Sequence, residues 1–354
     1  MSSPTRRWPA EWETHAATWL AWPHNEEDWP DKFEPIPWVY ASIIGHLAQA
    51  EKVNIIVNEE SHLHAVSALR RCGLEIDGEN IECVALPTDR VWTRDFCPIW
   101  IEANRQPTAV KWKFNAWSKY PNWEQDERAG QAVARWVNSS IHTPTFRGQP
   151  VVLEGGSIDG NGAGTLLTSE ECLLSSIQCR NPGMTKQDYE TVFAESIGIR
   201  KVLWLNRGIV GDDTHGHVDD LARFVNRTTI VLVQEDDPKD ENYSPLKENW
   251  DRLQGQTTAD GELLHIIPLP MPKPIYFDGQ RLPASYANFY IANGIVLVPT
   301  FNDPNDRMVL QLLADLFPKR RIIGIHALDL IWGLGTLHCM TMQQPATSIS
   351  SSFV

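Results

Sequence analysis

Cys339 is the residue whose surroundings in this sequence most favour nucleophilic chemistry. It follows His338 and lies just after a small-residue turn that contains Gly333 and Gly335. A thiolate is the nucleophilic form of cysteine, and a cationic neighbour or a cationic substrate can favour that form. The same segment is equally typical of a buried thiol that packs as a small hydrophobic side chain. The choice between these interpretations depends on residues far upstream.

Two upstream segments place a carboxylate where it could meet a positively charged group. Asp95 belongs to the sequence WTRD and lies close to Trp92, and Glu154 ends an apolar run and precedes two glycines. A guanidinium group pairs with carboxylates in its plane and stacks on aromatic faces, and glycine lets backbone approach a ligand closely. Each segment also has an ordinary interpretation, as a surface ion pair of Arg94 with Asp95 or as a strand-end turn.

The densest polar cluster is GDDTHGHVDD at residues 211–220. On an extended segment, His215, His217 and Asp219 would point to the same side, because side chains alternate with a period of two. His217 could then be a general acid and base, and Asp219 an anchor for positive charge. The same three side chains could instead bind a metal ion, and a solvated loop is the third interpretation. Together, the four segments would suit covalent chemistry on a guanidinium group.

Composition restricts the class of protein. The 354 residues include 31 basic and 45 acidic ones, which gives a formal net charge of −14. An acidic surface attracts cationic ligands and disfavours nucleic acid and anionic membranes. The sequence contains no long apolar span, secretory signal, phosphate-binding glycine fingerprint or zinc-protease motif, and its six cysteines have no zinc-site spacing. We therefore expect a cytoplasmic protein with free thiols.

Strand-like and helix-like patterns alternate along the chain, which predicts an α/β or α+β protein. A unit of helix and strands recurs faintly. No linker divides the sequence, so we expect one domain over residues 1–354 with frayed ends at 1–7 and 347–354, and an ordered loop at the proline-rich residues 268–274. The predicted strands lie at residues 53–57, 109–114, 164–168, 229–233, 289–291, 295–298 and 321–325, and the predicted helices at 38–50, 63–71, 185–197 and 306–317.

At these motifs the sequence resembles the agmatine deiminase family, a branch of the guanidino-group-modifying (pentein) enzymes that also contains bacterial-type peptidylarginine deiminases. The resemblance implies a five-bladed, pseudo-symmetric α/β propeller with the active site in a central channel. It implies hydrolysis of agmatine to N-carbamoylputrescine and ammonia, in putrescine and polyamine biosynthesis, with no cofactor or metal. The partner would be a small cationic guanidino substrate rather than nucleic acid or a membrane, and a homo-oligomer is compatible with it. The matching segments are WTRD (92–95), KFNAW (113–117), LEGGSI (153–158), RNP (180–182), DTHGHVD (213–219), SYANFY (285–290), HC (338–339) and QQP (343–345).

The resemblance also implies a role for each matching residue. Cys339 corresponds to the nucleophile that attacks the guanidinium carbon. His217 corresponds to the acid and base that protonates departing ammonia and then activates water against the thiouronium intermediate. Asp95 and Asp219 correspond to the two carboxylates that hold the guanidinium nitrogens. The substrate pocket would further contain Glu154, Trp92, Trp117 and Asp213.

Two features depart from the pattern of the family. The loop before Cys339 is poor in glycine, and His215 stands where a variable polar residue is expected. Because either feature could alter the distal end of the pocket, a deiminase of free or peptidyl arginine is the alternative function. Free arginine would require a basic residue there, and Arg94 and Arg180 could equally be structural. The third hypothesis is a non-catalytic protein that binds a guanidinium group or a metal ion at residues 211–220.

Overall fold

Helices and strands alternate from end to end in the computed structural model, which describes residues 6–76, 78–104 and 106–346. The mixed α/β class expected from the sequence is therefore confirmed. No described helix is long and apolar enough to cross a lipid bilayer. The helices are α1 (Ile36–Leu47), α2 (His62–Arg71), α3 (Thr93–Phe96), α4 (Glu124–Trp136), α5 (Glu170–Leu174), α6 (Lys186–Ile197), α7 (Tyr243–Leu253) and α8 (Asn305–Leu316).

The strands of the described residues are short and fall into several small sheets. They are β1 (Arg6–Arg7), β2 (His15–Ala21), β3 (Lys52–Val57), β4 (Ile81–Ala85), β5 (Ile99–Ala103), β6 (Gln106–Val110), β7 (Ser140–His142), β8 (Thr145–Phe146), β9 (Gln149–Pro150), β10 (Asp159–Gly160), β11 (Thr165–Ser169), β12 (Lys201–Leu205), β13 (Ala222–Phe224), β14 (Thr229–Gln234), β15 (His265–Pro270), β16 (Tyr276–Phe277), β17 (Gln280–Arg281), β18 (Tyr290–Ala292), β19 (Ile295–Thr300), β20 (Arg321–His326) and β21 (Met342–Pro345).

One three-stranded unit recurs in five of these sheets. Its first two strands are antiparallel, and its second and third strands are parallel and joined by a helical crossover. The last strand of the described residues, β21, pairs with β2, so segments from the N-terminal and C-terminal parts of the chain share one sheet. The units are β21-β2-β3, β5-β6-β7, β10-β11-β12, β13-β14-β15 and β18-β19-β20, with β4 and β1 extending the first two sheets.

A continuous cluster of buried apolar side chains connects the five units. The middle strands β14 and β19 are buried along nearly their whole length. Strands that are covered on both faces carry unbroken apolar runs rather than alternating ones. This burial explains why the strands predicted at 229–233 and 295–298 are visible in the sequence.

Helix α6 shows how local signals set the ends of an element. The side chain of Thr185 accepts a hydrogen bond from the backbone N–H of Asp188, and the side chain of Asp188 accepts one from the backbone N–H of Thr185. This capping box starts the helix, and Gly198, at φ 76°, ends it in the left-handed conformation. The predicted helices at 38–50, 63–71, 185–197 and 306–317 are confirmed as α1, α2, α6 and α8.

Two predicted segments differ from the structure. Pro268 and Pro270, expected in a loop, belong to strand β15. Strand β15 lies at the edge of its sheet, where a missing backbone N–H need not break a ladder. The strand expected at 109–114 is β6 and ends at Val110; beyond it, Lys113 makes only an isolated bridge to Val152.

The N-terminal end of the described chain is also more ordered than expected. Arg6–Arg7, which we assigned to a frayed tail, form β1 and pair with Ala103 and Glu102 of β5. The side chain of Arg7 binds the carboxylate of Glu13 through two nitrogens, at 2.6 and 2.9 Å. Residues 1–5 and 347–354, the remainder of the expected tails, lie outside the described residues.

Candidate active site

The predicted site residues meet around one cavity of about 580 Å³. Cys339 is buried there, and the short helix α3 contributes Asp95 from a segment far away in the sequence. Glu154, His217 and Asp219 are buried beside the cavity, within 4.0 Å of one another or of Asp95. The cavity is lined by five of the eight predicted residues, namely Trp92, Asp95, Trp117, Asp213 and Cys339.

His217 lies among three carboxylates. Its Nδ1 is 3.9 Å from Asp95 Oδ1 and 4.0 Å from Asp219 Oδ1, and its Nε2 is 3.7 Å from Glu154 Oε2. Burial lowers the pKa of His217, but the Asp95 carboxylate and then Cys172 and Glu154 raise it, and the pKa lies well above its ordinary value. At neutral pH His217 is therefore an imidazolium that can give up a proton.

Four polar atoms at this point are buried without a hydrogen-bond partner among the described residues: Asp219 Oδ1, Glu154 Oε2 and both ring nitrogens of His217. The other oxygen of each carboxylate is occupied. Asp219 Oδ2 is 2.7 Å from His338 Nδ1, and Glu154 Oε1 accepts from Arg180 Nε at 3.2 Å. An unsatisfied buried acceptor costs about 1–3 kcal/mol. The arrangement is therefore suited to a cation that donates several hydrogen bonds.

Asp95 is held in a fixed orientation. Its Oδ2 accepts a hydrogen bond of 2.9 Å from Trp117 Nε1, and its Oδ1 accepts one of 3.0 Å from the backbone N–H of Gly156. Burial raises the pKa of Asp95 to about 6, against the effect of the nearby His217. Trp117, predicted as an aromatic wall, thus also positions a carboxylate.

Two glycines are required by close approach at this site. A methyl group on Gly156 would lie 2.6 Å from His217 Nδ1 and 3.0 Å from carboxylate oxygens of Asp95 and Asp219. A methyl group on Gly335 would lie 2.7 Å from the ring of Trp92. Only glycine lets these backbones come so close to the side chains. Close packing of backbone against side chains therefore explains the glycines of LEGG and of the loop before Cys339.

The thiol of Cys339 is neutral in the free protein. Burial raises its pKa well above the ordinary value, and the carboxylates of Asp219, Asp220 and Asp95 act in the same direction. A 3.1 Å hydrogen bond from Asn288 Nδ2 to Sγ acts in the opposite direction. A cation between the sulfur and the carboxylates would offset their negative charge and favour the thiolate.

His338, the neighbour of the cysteine in sequence, faces away from it into a buried ion network. Its Nδ1 is 2.7 Å from Asp219 Oδ2, and its Nε2 is 2.8 Å from Glu11 Oε2. Burial raises the pKa of Glu11, but Arg223 and His338 hold it well below its ordinary value. His338 thus bridges the carboxylates of Asp219 and Glu11. It orients Asp219 and leaves the other oxygen of that residue free.

The polar cluster at 211–220 differs from the extended segment we expected. Val218–Asp220 form a 3-10 turn, and His215 has a left-handed backbone with φ 66°. The side chain of His215 contacts Ser175 Oγ at 3.0 Å instead of pointing with His217. The metal site hypothesised on His215, His217 and Asp219 is therefore wrong in its ligand set.

Another group in the described chain has donor atoms close enough for a metal. Glu154, Cys172 and His217 place one donor atom each within 4.8 Å of one another. The charge of Glu154 is already balanced by Arg180, which donates to its Oε1, and by His217. These contacts hold the pKa of Glu154 at about 2 despite the effect of burial. The set therefore fits a protonated histidine better than a cationic metal.

The basic residues at the mouth and base of the cavity can now be assigned. Arg94 is buried and binds the backbone oxygen of His338 and the side chain of Gln343, so it is structural, as is Arg180. Arg90 does line the cavity and was not identified from the sequence. Its guanidinium forms an ion pair with Asp28, donates to Asn122 Oδ1 at 3.1 Å and stacks on the ring of Tyr120 at 4.3 Å.

Asp213, predicted to bind substrate, lines the same mouth. Its carboxylate forms an ion pair with Lys119 and accepts a 2.7 Å hydrogen bond from the hydroxyl of Tyr120.

Burial raises the pKa of Asp28 to about 6 although Arg90 acts against it. Glu11, Asp28, Arg90 and Cys172 were not identified from the sequence, and Asn288 was included there only as part of the matching SYANFY segment, without a role.

This combination of an α/β fold and a buried cysteine–histidine–carboxylate site places the protein in a known class. Residues 7–345 match the family described as Porphyromonas-type peptidyl-arginine deiminase, and the chain belongs to this family. The resemblance to the agmatine deiminases seen in the motifs is thereby confirmed. An agmatine deiminase of Stutzerimonas stutzeri is 33% identical to this chain over 362 residues, which cover 96% of this chain and 95% of the relative.

Solved structures agree with this assignment. A cysteine-to-serine variant of C. jejuni agmatine deiminase with substrate bound is 30% identical, with a TM-score of 0.86 and 98% of each chain covered. The agmatine deiminase of Enterococcus faecalis, in a structure described as catalysing its reaction, is 28% identical with a TM-score of 0.88. The similarity covers 98% of this chain and 99% of that one.

Proposed function

We propose that this chain is an agmatine deiminase, which hydrolyses agmatine to N-carbamoylputrescine and ammonia as a step in putrescine formation. One observation carries the proposal: unpartnered carboxylate oxygens of Asp219 and Glu154 surround His217 beside a buried thiol. A guanidinium group supplies planar N–H donors for such unpartnered acceptors. The relatives named agmatine deiminase support the same activity.

Substrate binding would use the acids and the aromatic rings. Asp95 and Asp219 would take the guanidinium nitrogens, which leaves the face of the guanidinium carbon open to Cys339. Trp92 and Trp117 also line the cavity and would contact the alkyl chain of the substrate. The positive charge of the substrate would lower the pKa of the thiol, whose proton is then lost to solvent.

The chemical steps follow from the positions of Cys339 and His217. The thiolate attacks the guanidinium carbon, and a C–S bond forms. The imidazolium of His217 donates its proton to a terminal nitrogen, and ammonia leaves as the C–N bond breaks. The neutral imidazole then takes a proton from water as the oxygen adds to the thiouronium carbon. Collapse of this adduct breaks the C–S bond, releases the ureido product and the thiolate, and gives the hydroxyl proton to solvent.

The mouth of the cavity favours an amine over a carboxylate at the distal end of the substrate. Arg90 is the basic residue at the mouth, but Asp28 and Tyr120 already engage its guanidinium. The carboxylate of Glu27 also lines the cavity, as does that of Asp213, which is paired with Lys119. The ammonium of agmatine is attracted by this acidic surface, whereas the carboxylate of free arginine is repelled.

The five recurring units support a pentein propeller as the architecture. Each unit would form one blade, and the blades would surround the cavity as one catalytic domain over residues 1–354. The continuous core supports a single domain, because separate domains have separate cores. Neither a metal nor a cofactor has a role in this mechanism. Free thiols at Cys339 and Cys172 fit a reducing, cytoplasmic compartment.

A substrate panel tests the proposed function. Purified protein is assayed for ammonia and ureido product with agmatine, free arginine and benzoyl-arginine amide at equal concentrations. We expect kcat/KM for agmatine to exceed that for free arginine by at least about 100-fold, since placing like charges together costs several kcal/mol. Benzoyl-arginine amide has no charge at its distal end, and we expect a lower kcat/KM for it because it lacks the ammonium of agmatine. Turnover of benzoyl-arginine amide with no turnover of agmatine would assign the peptidyl-arginine alternative instead.

A further inference from the structure

The mouth of the cavity is formed by exposed residues, whereas its base is buried. Pro30 and Gln280 line the cavity and are exposed, and Asp95 and Cys339 line it and are buried. The cavity volume of about 580 Å³ lies within the range of roughly 300–1,000 Å³ that holds drug-sized ligands. Volume alone therefore does not confine the site to a molecule as small as agmatine. A restriction on the size of the substrate has to come from the shape of the mouth.

Trp332 connects two other segments of the chain at this mouth. It lines the cavity and is partly buried. Its indole Nε1 donates a 2.7 Å hydrogen bond to the backbone oxygen of Pro30. The ring of Phe277, in β16, contacts the indole edge to face, with 4.3 Å between the ring centroids. The indole is therefore held by two segments that are far from it in the sequence.

The backbone that carries Trp332 is fixed as well. Trp332 belongs to a short 3-10 turn, Leu330–Gly333, and the backbone oxygen of Leu330 accepts a 2.9 Å hydrogen bond from Trp29 Nε1. A methyl group on Gly333 would lie 2.5 Å from the same nitrogen, so the turn packs directly against the ring of the buried Trp29. Trp332 is therefore a rigid part of the mouth rather than a mobile surface side chain.

Phe277 is held in place by a neighbouring cation. The ammonium of Lys32 lies 4.9 Å from the centroid of the Phe277 ring and forms a 3.0 Å ion pair with Asp329. Strands β16 and β17 form a two-stranded hairpin, and β17 contains Gln280, which lines the cavity. Because an isolated hairpin is only marginally stable, these contacts keep the hairpin beside Trp332 at the mouth.

We propose that Trp332, positioned by Phe277, determines the size of the substrate that reaches Cys339. The indole narrows the mouth, so that a guanidine on a slender alkyl chain enters while an N-acylated arginine, free or within a peptide, does not. The distal carbon of an acylated arginine carries two bulky groups, and a close-packed, rigid ring does not move aside for them. The kinetic part of the proposal rests on the proposed function, whereas the restricted access to Cys339 applies to the free protein.

Two guanidines that differ in size but not in distal charge separate this effect from electrostatics. Butylguanidine is slender and benzoyl-arginine amide is bulky, and neither has a charge at its distal end. We expect Trp332→Ala to raise the ratio of kcat/KM for benzoyl-arginine amide to kcat/KM for butylguanidine by at least about tenfold, which corresponds to about 1.4 kcal/mol. Steady-state assays of ammonia release measure this ratio.

Two further variants of the same hairpin sharpen the comparison. Phe277→Ala removes a support of the indole and leaves the indole itself, so we expect it to raise the ratio by a smaller factor. Tyr276→Ala is the matched control, because Tyr276 also lies in β16 but is 60% exposed. We expect Tyr276→Ala to leave the ratio unchanged.

Alkylation of Cys339 provides a readout that needs no turnover. The protein is treated with iodoacetamide or with the bulky N-pyrenyl iodoacetamide, and the modified peptides are quantified by mass spectrometry. The exposed Cys72 reports the intrinsic reactivity of each reagent. Relative to Cys72, we expect the bulky reagent to modify Cys339 more slowly than iodoacetamide does in the unmodified chain. This difference should shrink in Trp332→Ala and persist in Tyr276→Ala.

Three outcomes would overturn the proposal. These are an unchanged substrate ratio in Trp332→Ala, an equal change in Tyr276→Ala, and equal access of both alkylating reagents to Cys339 in the unmodified chain. If Trp332→Ala does not fold, Phe277→Ala must raise the ratio. Should the unmodified protein hydrolyse agmatine but neither uncharged guanidine, the alkylation rates decide. Should it fail to hydrolyse agmatine, the proposed function fails, while the alkylation rates still decide whether Trp332 restricts access to Cys339.

Discussion

Gly156 and His217 approach each other so closely that a methyl group on the glycine would lie 2.6 Å from the imidazole Nδ1. The same methyl would lie 3.0 Å from carboxylate oxygens of Asp95 and Asp219. The backbone N–H of Gly156 meanwhile donates to Asp95 at 3.0 Å. One glycine thus fixes the separation of the histidine from both carboxylates that would hold the guanidinium group.

Gly156→Ala is expected to lower kcat for agmatine by about 100-fold, because a displacement of the order of 1 Å in an aligned site costs about that much. The thermal midpoint should change far less than the rate. Steady-state kinetics and thermal melts check both. Gly78→Ala is the control, since its methyl would meet nothing closer than 3.9 Å. Normal activity in Gly156→Ala would show that the three side chains are not held as described.

Glu154 makes the stability of the fold depend on pH through its ion pair with Arg180. Its folded pKa is about 2, below the ordinary value of 4.5. The contribution to stability is therefore fully present above about pH 4.5 and is lost as the pH falls towards 2. The shift corresponds to roughly 3 kcal/mol. Glu154→Gln should be less stable than the unmodified chain by that order at pH 7, and the difference should shrink towards pH 3.

Urea unfolding at several pH values measures this difference. Asp251→Asn is the control, because Asp251 forms an exposed ion pair with Lys247 on the surface of α7 and should alter stability by less than about 1 kcal/mol. A Glu154→Gln deficit that stays constant from pH 7 to pH 3 would contradict the assignment of the lowered pKa to Glu154.

Asp28 is expected to set the preference for an amine at the mouth of the cavity. Asp28→Asn would leave the guanidinium of Arg90 without its ion-pair partner. We expect kcat/KM for agmatine to fall about tenfold and the ratio of arginine to agmatine turnover to rise, since an uncompensated cation repels ammonium and attracts carboxylate. The three-substrate panel measures this ratio. An unchanged ratio would show that the distal end of the substrate does not bind near Asp28 and Arg90.

The sequence predicted elements with strong local signals, such as α6 with its capping box at Thr185 and the apolar strand β14. It could not predict β15, because the prolines of that strand are tolerated only at a sheet edge. Its motifs predicted residues that the fold brings together at one cavity. It could not predict the contact of Asn288 with Cys339, which spans 51 positions and depends on the packing of two loops.

The polar cluster at 211–220 shows a further limit of pattern reasoning. A period of two predicted that His215 and His217 share one side, but the left-handed backbone at His215 and the 3-10 turn after His217 turn them apart. Arg90 carried no signal in sequence either, because its position at the cavity depends on Asp28 and Tyr120. Such tertiary contacts decide which of two similar polar residues reaches the site.

The most direct test of the central claim is the identification of the covalent intermediate. Protein mixed with agmatine is quenched with acid within the first turnovers, digested and analysed by mass spectrometry, with Cys339→Ala treated in parallel. The account predicts that the peptide containing Cys339 gains the mass of agmatine minus ammonia, and that Cys339→Ala shows neither the adduct nor ammonia release. Turnover that persists in Cys339→Ala, or an adduct on another residue, would contradict it.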